Sequence, residues 1–387
     1  MKHQGRSASL WRAGGTVVIA MVAALGLAGC TDGSTHSSRE AGTPPTFGLE
    51  VDAESNLMII AADGTLTPVL IADEPVPAYS GAVAVEVGDG RLAALGTDSL
   101  MLLNEDGVLS STECAACSGL VLTDAGLVTA QQSFIPGIDF TLVTFDRTLK
   151  ETARADAFFP PSRYAPSLMP KMRMPRVEAS LDESVIVSVI SATGGEAGNG
   201  RLYGPWVLSY YAPDGTLERY VEVPGHNGVG PVQISPDGEY SAVHQSTTSG
   251  ACDFGEDIAI VDNRTARVWN PSASFSGDAV DGRGYLNILN SSWSGKEYVV
   301  DVIEKDPCAE DAGTNIRTVV SPSAGEGWTA ESTDRSIVLG HLGETCDLPV
   351  TIPAGVTRYE ATPSIGDHPL EPGSTIVYLP TPEGCRG

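Results

Sequence analysis

Short apolar runs bordered by acidic or glycine-containing turns recur along almost the whole chain after residue 48, and this limits the fold more than any other feature. Representative runs are Asn56-Leu-Met-Ile-Ile60, Leu100-Met-Leu-Leu103, Phe140-Thr-Leu-Val-Thr-Phe145, Val185-Ile-Val-Ser-Val-Ile190, Ile258-Ala-Ile-Val261 and Ile337-Val-Leu339. Their length, β-branched content and turn-rich borders predict strands. The best windows for an amphipathic helix of three or more turns are broken by Gly or Pro, so the chain is expected to be all-β.

The runs recur as a unit with two elements. One is an acidic or glycine turn leading into an apolar strand, as in Gly88-Asp-Gly-Arg-Leu-Ala-Ala-Leu95, Leu181-Asp-Glu-Ser-Val-Ile-Val187 and Trp293-Ser-Gly-Lys-Glu-Tyr-Val-Val300. The other is strand, tight turn, strand, with turn aspartates Asp63, Asp106, Asp146, Asp214 and Asp262 at intervals of 43, 40, 68 and 48 residues. Asp-Gly supplies the positive φ that a tight hairpin needs. Two such elements every 40 to 60 residues are what a four-stranded propeller blade leaves in sequence. Ser235-Pro-Asp-Gly-Glu-Tyr240 followed by Ile258-Ala-Ile-Val-Asp-Asn263 resembles a blade of the TolB-type or WD40-like propellers. The close match covers about residues 230 to 270, and degenerate copies extend over most of 49 to 380. The resemblance implies a β-propeller of about seven four-stranded blades, spanning 47–387. In that reading Ser374-Thr-Ile-Val-Tyr-Leu379 closes the ring by pairing with the early unit at 49 to 74. The competing architecture is two stacked β-sandwich domains divided at 155 to 176, where five prolines interrupt the pattern.

The N-terminal stretch has a different character. Lys2, Arg6 and Arg12 form a basic region without acidic residues, and 17 uncharged, mostly apolar residues follow from Ala13 to Gly29. That pattern reads as a secretory signal. Its end, Leu27-Ala-Gly-Cys30, resembles the lipobox of bacterial prolipoproteins, which implies cleavage after residue 29 and acylation of Cys30. Residues 30–46 then form the lipidated cysteine and a flexible tether, since a Ser, Thr, Gly and Pro-rich stretch cannot offset its ordering entropy. The expected location is the extracytoplasmic face of a bacterial membrane, lipid-anchored, with palmitate-type chains.

Removal of residues 1–29 leaves 20 basic against 49 acidic side chains, a net charge of −29 with histidines neutral. Such a charge repels nucleic acid and anionic lipid surfaces. It accords with solubility outside the cell and with cationic partners, and the domain is expected to be monomeric.

Six cysteines besides Cys30 suit an exported chain. Cys114 and Cys117, in a C-A-A-C loop, are expected to form a short structural disulfide. Cys252, Cys308 and Cys346 each follow the first recurring strand of a unit. In a propeller the equivalent loops emerge on one face, which favours Cys252 with Cys308 and Cys346 with Cys385. The first pair would bring together two acidic segments, Cys252-Asp-Phe-Gly-Glu-Asp257 and Glu304-Lys-Asp-Pro-Cys-Ala-Glu-Asp311. Asp253, Glu256, Asp257, Asp306, Glu310 and Asp311 are therefore the candidate metal ligands, and their oxygen chemistry is that of calcium. Solvated acidic loops are the plainer account in a chain with 49 carboxylates. No other cofactor is indicated.

No G-x-S-x-G, H-E-x-x-H or G-x-x-x-x-G-K-S/T motif occurs. His244 and His341 read as strand-end residues, and Gly225-His-Asn-Gly-Val-Gly-Pro231 fits equally a pocket mouth that carries His226 and a glycine-rich loop between units. Most of the tyrosines and tryptophans between Tyr203 and Tyr298 are expected in the core, leaving a few for a recognition surface. The favoured function is a membrane-anchored binding or scaffold protein that recognises a protein, peptide or envelope glycan. Its competitor is an extracytoplasmic hydrolase or lyase with a carboxylate or calcium-dependent site.

Overall fold

The computed structural model describes residues 43, 45–61, 65–78, 83–133, 135, 138–160, 175–190, 195–196, 202–203, 206–223, 228–248, 254–269, 286–294, 297–304, 316–321, 329–332, 337–339, 350–352, 364–365, 368–369 and 375–378. The chain divides into two units, Met1–Glu40 and Ala41–Gly387, and every described residue belongs to the second. The described residues contain strands and turns and no helix.

The strands assemble into antiparallel groups of four, numbered here in chain order. Sheet I is Thr375–Tyr378, Gly48–Val51, Leu57–Ile60 and Leu66–Pro68. Sheet II is Val83–Gly88, Arg91–Leu95, Ser99–Asn104 and Gly107–Glu113; sheet III is Cys117–Thr123, Gly126–Gln132, Phe140–Phe145 and Glu151–Ala157. Sheet IV is Arg176–Leu181, Ser184–Ile190, Trp206–Tyr211 and Leu217–Val223; sheet V is Gly228–Ile234, Tyr240–Thr248, Phe254–Asp262 and Val268–Trp269. Sheet VI is Leu286–Ser294, Glu297–Glu304, Ile316–Ser321 and Thr329–Ser332; sheet VII is Ile337–Leu339, Val350–Ile352, Ser364–Ile365 and His368–Pro369. Two short hairpins, Leu70–Ile71 with Glu74–Pro75 and Gly195–Glu196 with Leu202–Tyr203, are additional.

The first strands lie side by side in succession, from Thr375–Tyr378 through the first strands of sheets II, III, IV, V and VI to Ile337–Leu339. The result is a large, curled and partly closed all-β arrangement. The C-terminal strand pairs antiparallel with Gly48–Val51, Leu49 opposite Tyr378, as the sequence reading anticipated. A division into two sandwiches at 155 to 176 does not hold. Sheets III and IV straddle that stretch and are joined edge to edge by a parallel pair, Gly119 with Val177, into one eight-stranded sheet.

Alternation along each strand explains why the apolar runs are continuous. Leu92 and Ala94 enter the core between sheets I and II, with Phe47, Leu49 and Leu57. Ala93 and Leu95 enter the next core, with Leu120, Leu127 and Val143. Likewise Val185, Val187 and Val189 face sheet III, while Ile186 faces sheet V. Both faces of these inner strands are buried, so polar residues are largely displaced to turns and to outer strands such as Glu151–Ala157. Each fully buried Val, Leu or Ile contributes about 1.5–3 kcal/mol.

The Ser235-Pro-Asp-Gly motif is a self-contained turn. Ser235 Oγ accepts from Tyr240 N at 2.9 Å and donates to Asp237 Oδ1 at 2.7 Å, and Gly238 takes φ +72°. Asn263 reaches across from the next turn: its Nδ2 donates to Gly238 O, and its Oδ1 accepts from Ser241 and from Tyr210 of sheet IV. Arg219 lies 4.1 Å over the Tyr210 ring. The motif thus fixes a hairpin and ties two sheets together. Elsewhere the turn chemistry departs from expectation: in the Asp146 and Asp262 turns the positive φ falls on Leu149 and Ala266. There the aspartate carboxylate accepts backbone N–H groups within the turn instead, Thr148 at 2.8 Å and Thr265 at 2.8 Å.

Candidate functional site

Within sheets II to VII the first-to-second and third-to-fourth strand connections leave one end, and the second-to-third connections leave the opposite end. In sheets III to V the former are short: residues 124–125, 182–183 and 235–239, then 146–150, 212–216 and 263–267. The opposite connections are longer in places, spanning residues 133–139, 158–175 and 191–205. Loops that carry recognition emerge from rigid strands in this manner.

At that loop end the first strands of sheets III to VI share an irregularity. Their pairing with the second strand shifts register at Gly119-Leu120 in sheet III, Glu178 in sheet IV, Gly230-Pro231 in sheet V and Leu289 in sheet VI, whereas the shift in sheet II, at Val87, lies beside the turn at 89–90. Such bulges bend a strand and re-aim side chains. Glu178 alone among these residues is ionisable. Its side chain is 1% exposed. Ser188 Oγ, from the adjoining strand, donates to Glu178 Oε1 at 2.5 Å. Arg176 Nε lies 3.7 Å from Glu178 Oε2, too far for a hydrogen bond. Burial pushes the Glu178 carboxyl up to about 7, against the opposing pull of Arg176 and of the Ser188 hydrogen bond. A carboxyl near neutrality can donate a proton as well as accept one.

Arg176 is 31% exposed along its side chain. Its Nε is buried without a hydrogen-bond partner. Arg91 and Arg154 are held differently, by Gly88 O and Asp89, and by Glu151 and Gln131.

A second polar pair lies between sheets V and VI. His244 Nε2 meets the Tyr298 hydroxyl at 2.9 Å, and Trp293 packs 4.9 Å from the Tyr298 ring. Crowding by protein pushes the imidazole down to about 4, so it is neutral near pH 7. His244 is not a strand-end residue: it sits inside Tyr240–Thr248, opposite Ile258. The long run Phe254–Asp262 pairs with that whole strand, and so extends it past the point where sequence reading placed a loop.

That extension also corrects the acidic-loop picture. Glu256 and Asp257 occupy strand positions, opposite Ser246 and Gln245. Asp253, Asp306, Glu310 and Asp311 lie outside the described residues, as do Cys30, Cys252, Cys308, Cys346, Cys385, His226 and His341. Among the described residues no three His, Cys, Asp or Glu side chains converge as a metal site would require. Cys114 and Cys117 form a disulfide, and both are buried. It closes the turn leading into sheet III, where Gln131 Nε2 donates to Ala115 O.

Sequence reading passed over Arg176, Glu178 and Glu50, the last fully buried in sheet I. Arg176-Val-Glu-Ala-Ser-Leu181 alternates as a half-solvated strand does, and a bulge leaves no mark in composition. The interior carboxyl goes with the bulge and with Ser188 of the paired strand, which a reading of residues 176–181 alone does not bring in.

No family model matches the sequence, and no curated protein is similar to it. Similar solved structures include Kuenenia stuttgartiensis hydrazine synthase, at 11% identity over 73% of this chain and 79% of that one, TM-score 0.43. Pseudomonas aeruginosa periplasmic gluconolactonase is similar at 12% identity over 73% and 98%, TM-score 0.33. Drosophila Plexin A, in complex with Semaphorin 1b, is similar at 9% identity over 88% and 84%, TM-score 0.42. These likenesses are too distant to carry an argument about this chain's function.

Proposed function

We propose that this chain is a lipid-anchored binding protein on the extracytoplasmic face of a bacterial envelope, its domain closed as a seven-bladed propeller. The loop end of the first strands receives the ligand, a protein, peptide or envelope glycan. The observation that carries the reading is the unequal distribution of connections in sheets III to V, where the turns at one end are tight and longer segments lie at the other. Pairing of Thr375–Tyr378 with Gly48–Val51 supports closure, because it gives sheet I its fourth strand from the far end of the chain. The Leu27-Ala-Gly-Cys30 signal supports the anchor. Chemical cross-linking of the full chain in membranes, with photoreactive groups placed at Ile135 on the loop end or at Asp214 on the turn end, tests it. Partner capture from position 135 and not from 214 is expected; the reverse pattern sinks the assignment.

An enzymatic reading has one observation in its favour, the Glu178 carboxyl held near neutrality beside Arg176. A hydrolase or lyase acting on glycan or peptide would use it as the proton donor. Turnover of envelope glycan by the full chain, lost in Glu178→Gln, would establish that reading.

A further inference from the structure

Arg176 differs from the other engaged arginines in what surrounds it. Its Nε is buried without a hydrogen-bond partner, and its nearest carboxyl oxygen stands 3.7 Å away. Arg219 has an aromatic face and Arg154 a two-point carboxylate contact. The Arg176 guanidinium makes no hydrogen bond among the described residues, yet the side chain reaches solvent at the loop end of the first strand of sheet IV. The register shift at Glu178 places that carboxyl against Ser188, whose hydroxyl occupies Oε1, so the neighbour is not a bidentate partner for the guanidinium.

We propose that Arg176 anchors a carboxylate of the ligand, carried by an acidic sugar or by a peptide C terminus. The inference rests on the loop end being the binding face. The planar fork of arginine matches a carboxylate in two parallel hydrogen bonds. A single negative charge suits the surroundings better than a phosphate dianion, because a domain of net charge −29 repels the second charge.

Titration calorimetry on the detergent-solubilised full chain tests this with four probes: galacturonate against galactose, and N-acetyl-trialanine against its C-terminal amide. One charged probe is expected to bind at least tenfold more tightly than its neutral counterpart, and which pair shows the preference identifies the source. Arg176→Gln abolishes the preference and Arg176→Lys, which keeps the charge without the fork, weakens it at least threefold. Arg147→Gln, on an exposed turn, leaves it intact. Equal binding of charged and neutral probes overturns the inference, as does an undiminished preference in both Arg176 variants. Should Arg176→Gln fail to fold, the lysine variant decides alone. Either failure leaves the cross-linking pattern from positions 135 and 214 untouched, so the broader binding reading stands or falls separately.

Discussion

Gly119 and Val177 meet so closely that a Cβ on Gly119 would stand 1.9 Å from the Val177 carbonyl oxygen. Gly119 also has φ +71°, a conformation costly for other residues. This single parallel pair joins sheets III and IV at their first strands, and Thr129 Oγ1 donates to Gly119 O at 2.7 Å behind it. Gly119→Ala is therefore expected to destabilise the domain by about 3 kcal/mol or more, through clash and strain together. Thermal unfolding checks it, and an unchanged midpoint would show that the sheets are not joined there.

Glu178 makes stability depend on pH from the alkaline side. Its carboxyl pKa is raised from 4.5 to about 7, so the folded chain holds a proton that the unfolded chain has released. The resulting stabilisation is complete below pH 4.5 and disappears as pH rises through 7, by about 3 kcal/mol for a shift of this size. Glu178→Gln stays neutral and is expected to gain on the native chain as pH rises from 5 to 8. Denaturant unfolding across that range measures the gap, and parallel curves would contradict the burial of this group.

His244 acts in the opposite direction. Its pKa falls from 6.5 to about 4 on folding, so the unfolded chain takes up a proton first as the medium is acidified. Stability from this source is present above pH 6.5 and is lost between 6.5 and 4, about 2 kcal/mol after allowance for partial exposure. His244→Gln, compared with the native chain over pH 7 to 4, should show the shallower loss. A native-chain curve no steeper than the variant's would place the imidazole in solvent.

How much of this was open to sequence reading depends on whether the signal is local. Turn chemistry at Ser235-Pro-Asp-Gly is written in adjacent residues, and the near-continuous apolar run Val185-Ile-Val-Ser-Val-Ile190 matches a strand buried on both faces. The pairing of Thr375–Tyr378 with Gly48–Val51 was legible because the early unit at 49 to 74 lacked a strand that the C-terminal run could supply. Glu178 was not legible, because it sits at a bulge and against Ser188 of the paired strand, and a bulge leaves no mark in local composition. His244 was misjudged for a related reason: Phe254-Gly-Glu-Asp257 is too polar to read as strand, yet it pairs with Gln245-Ser-Thr-Thr248 and lengthens the hairpin beyond the histidine.

The Cys114–Cys117 bridge closes a very short loop, with only two residues between its ends in sequence. Chain-entropy considerations give such a small ring about 2 kcal/mol. Cys114→Ser with Cys117→Ser should lower stability by that amount and leave the fold intact. Both sulfur-bearing residues are 3% exposed, so in the reduced native chain a thiol reagent should label them only after unfolding. Rapid labelling without denaturant would show that the turn opens on reduction.

The most direct measurement is the mass of the N-terminal peptide from full chain extracted from the membranes of a bacterial host. The account predicts a peptide that begins at Cys30 and carries acyl chains on the thiol and the new amino terminus. A peptide that retains residues 1–29, or one that begins elsewhere without lipid, would contradict it.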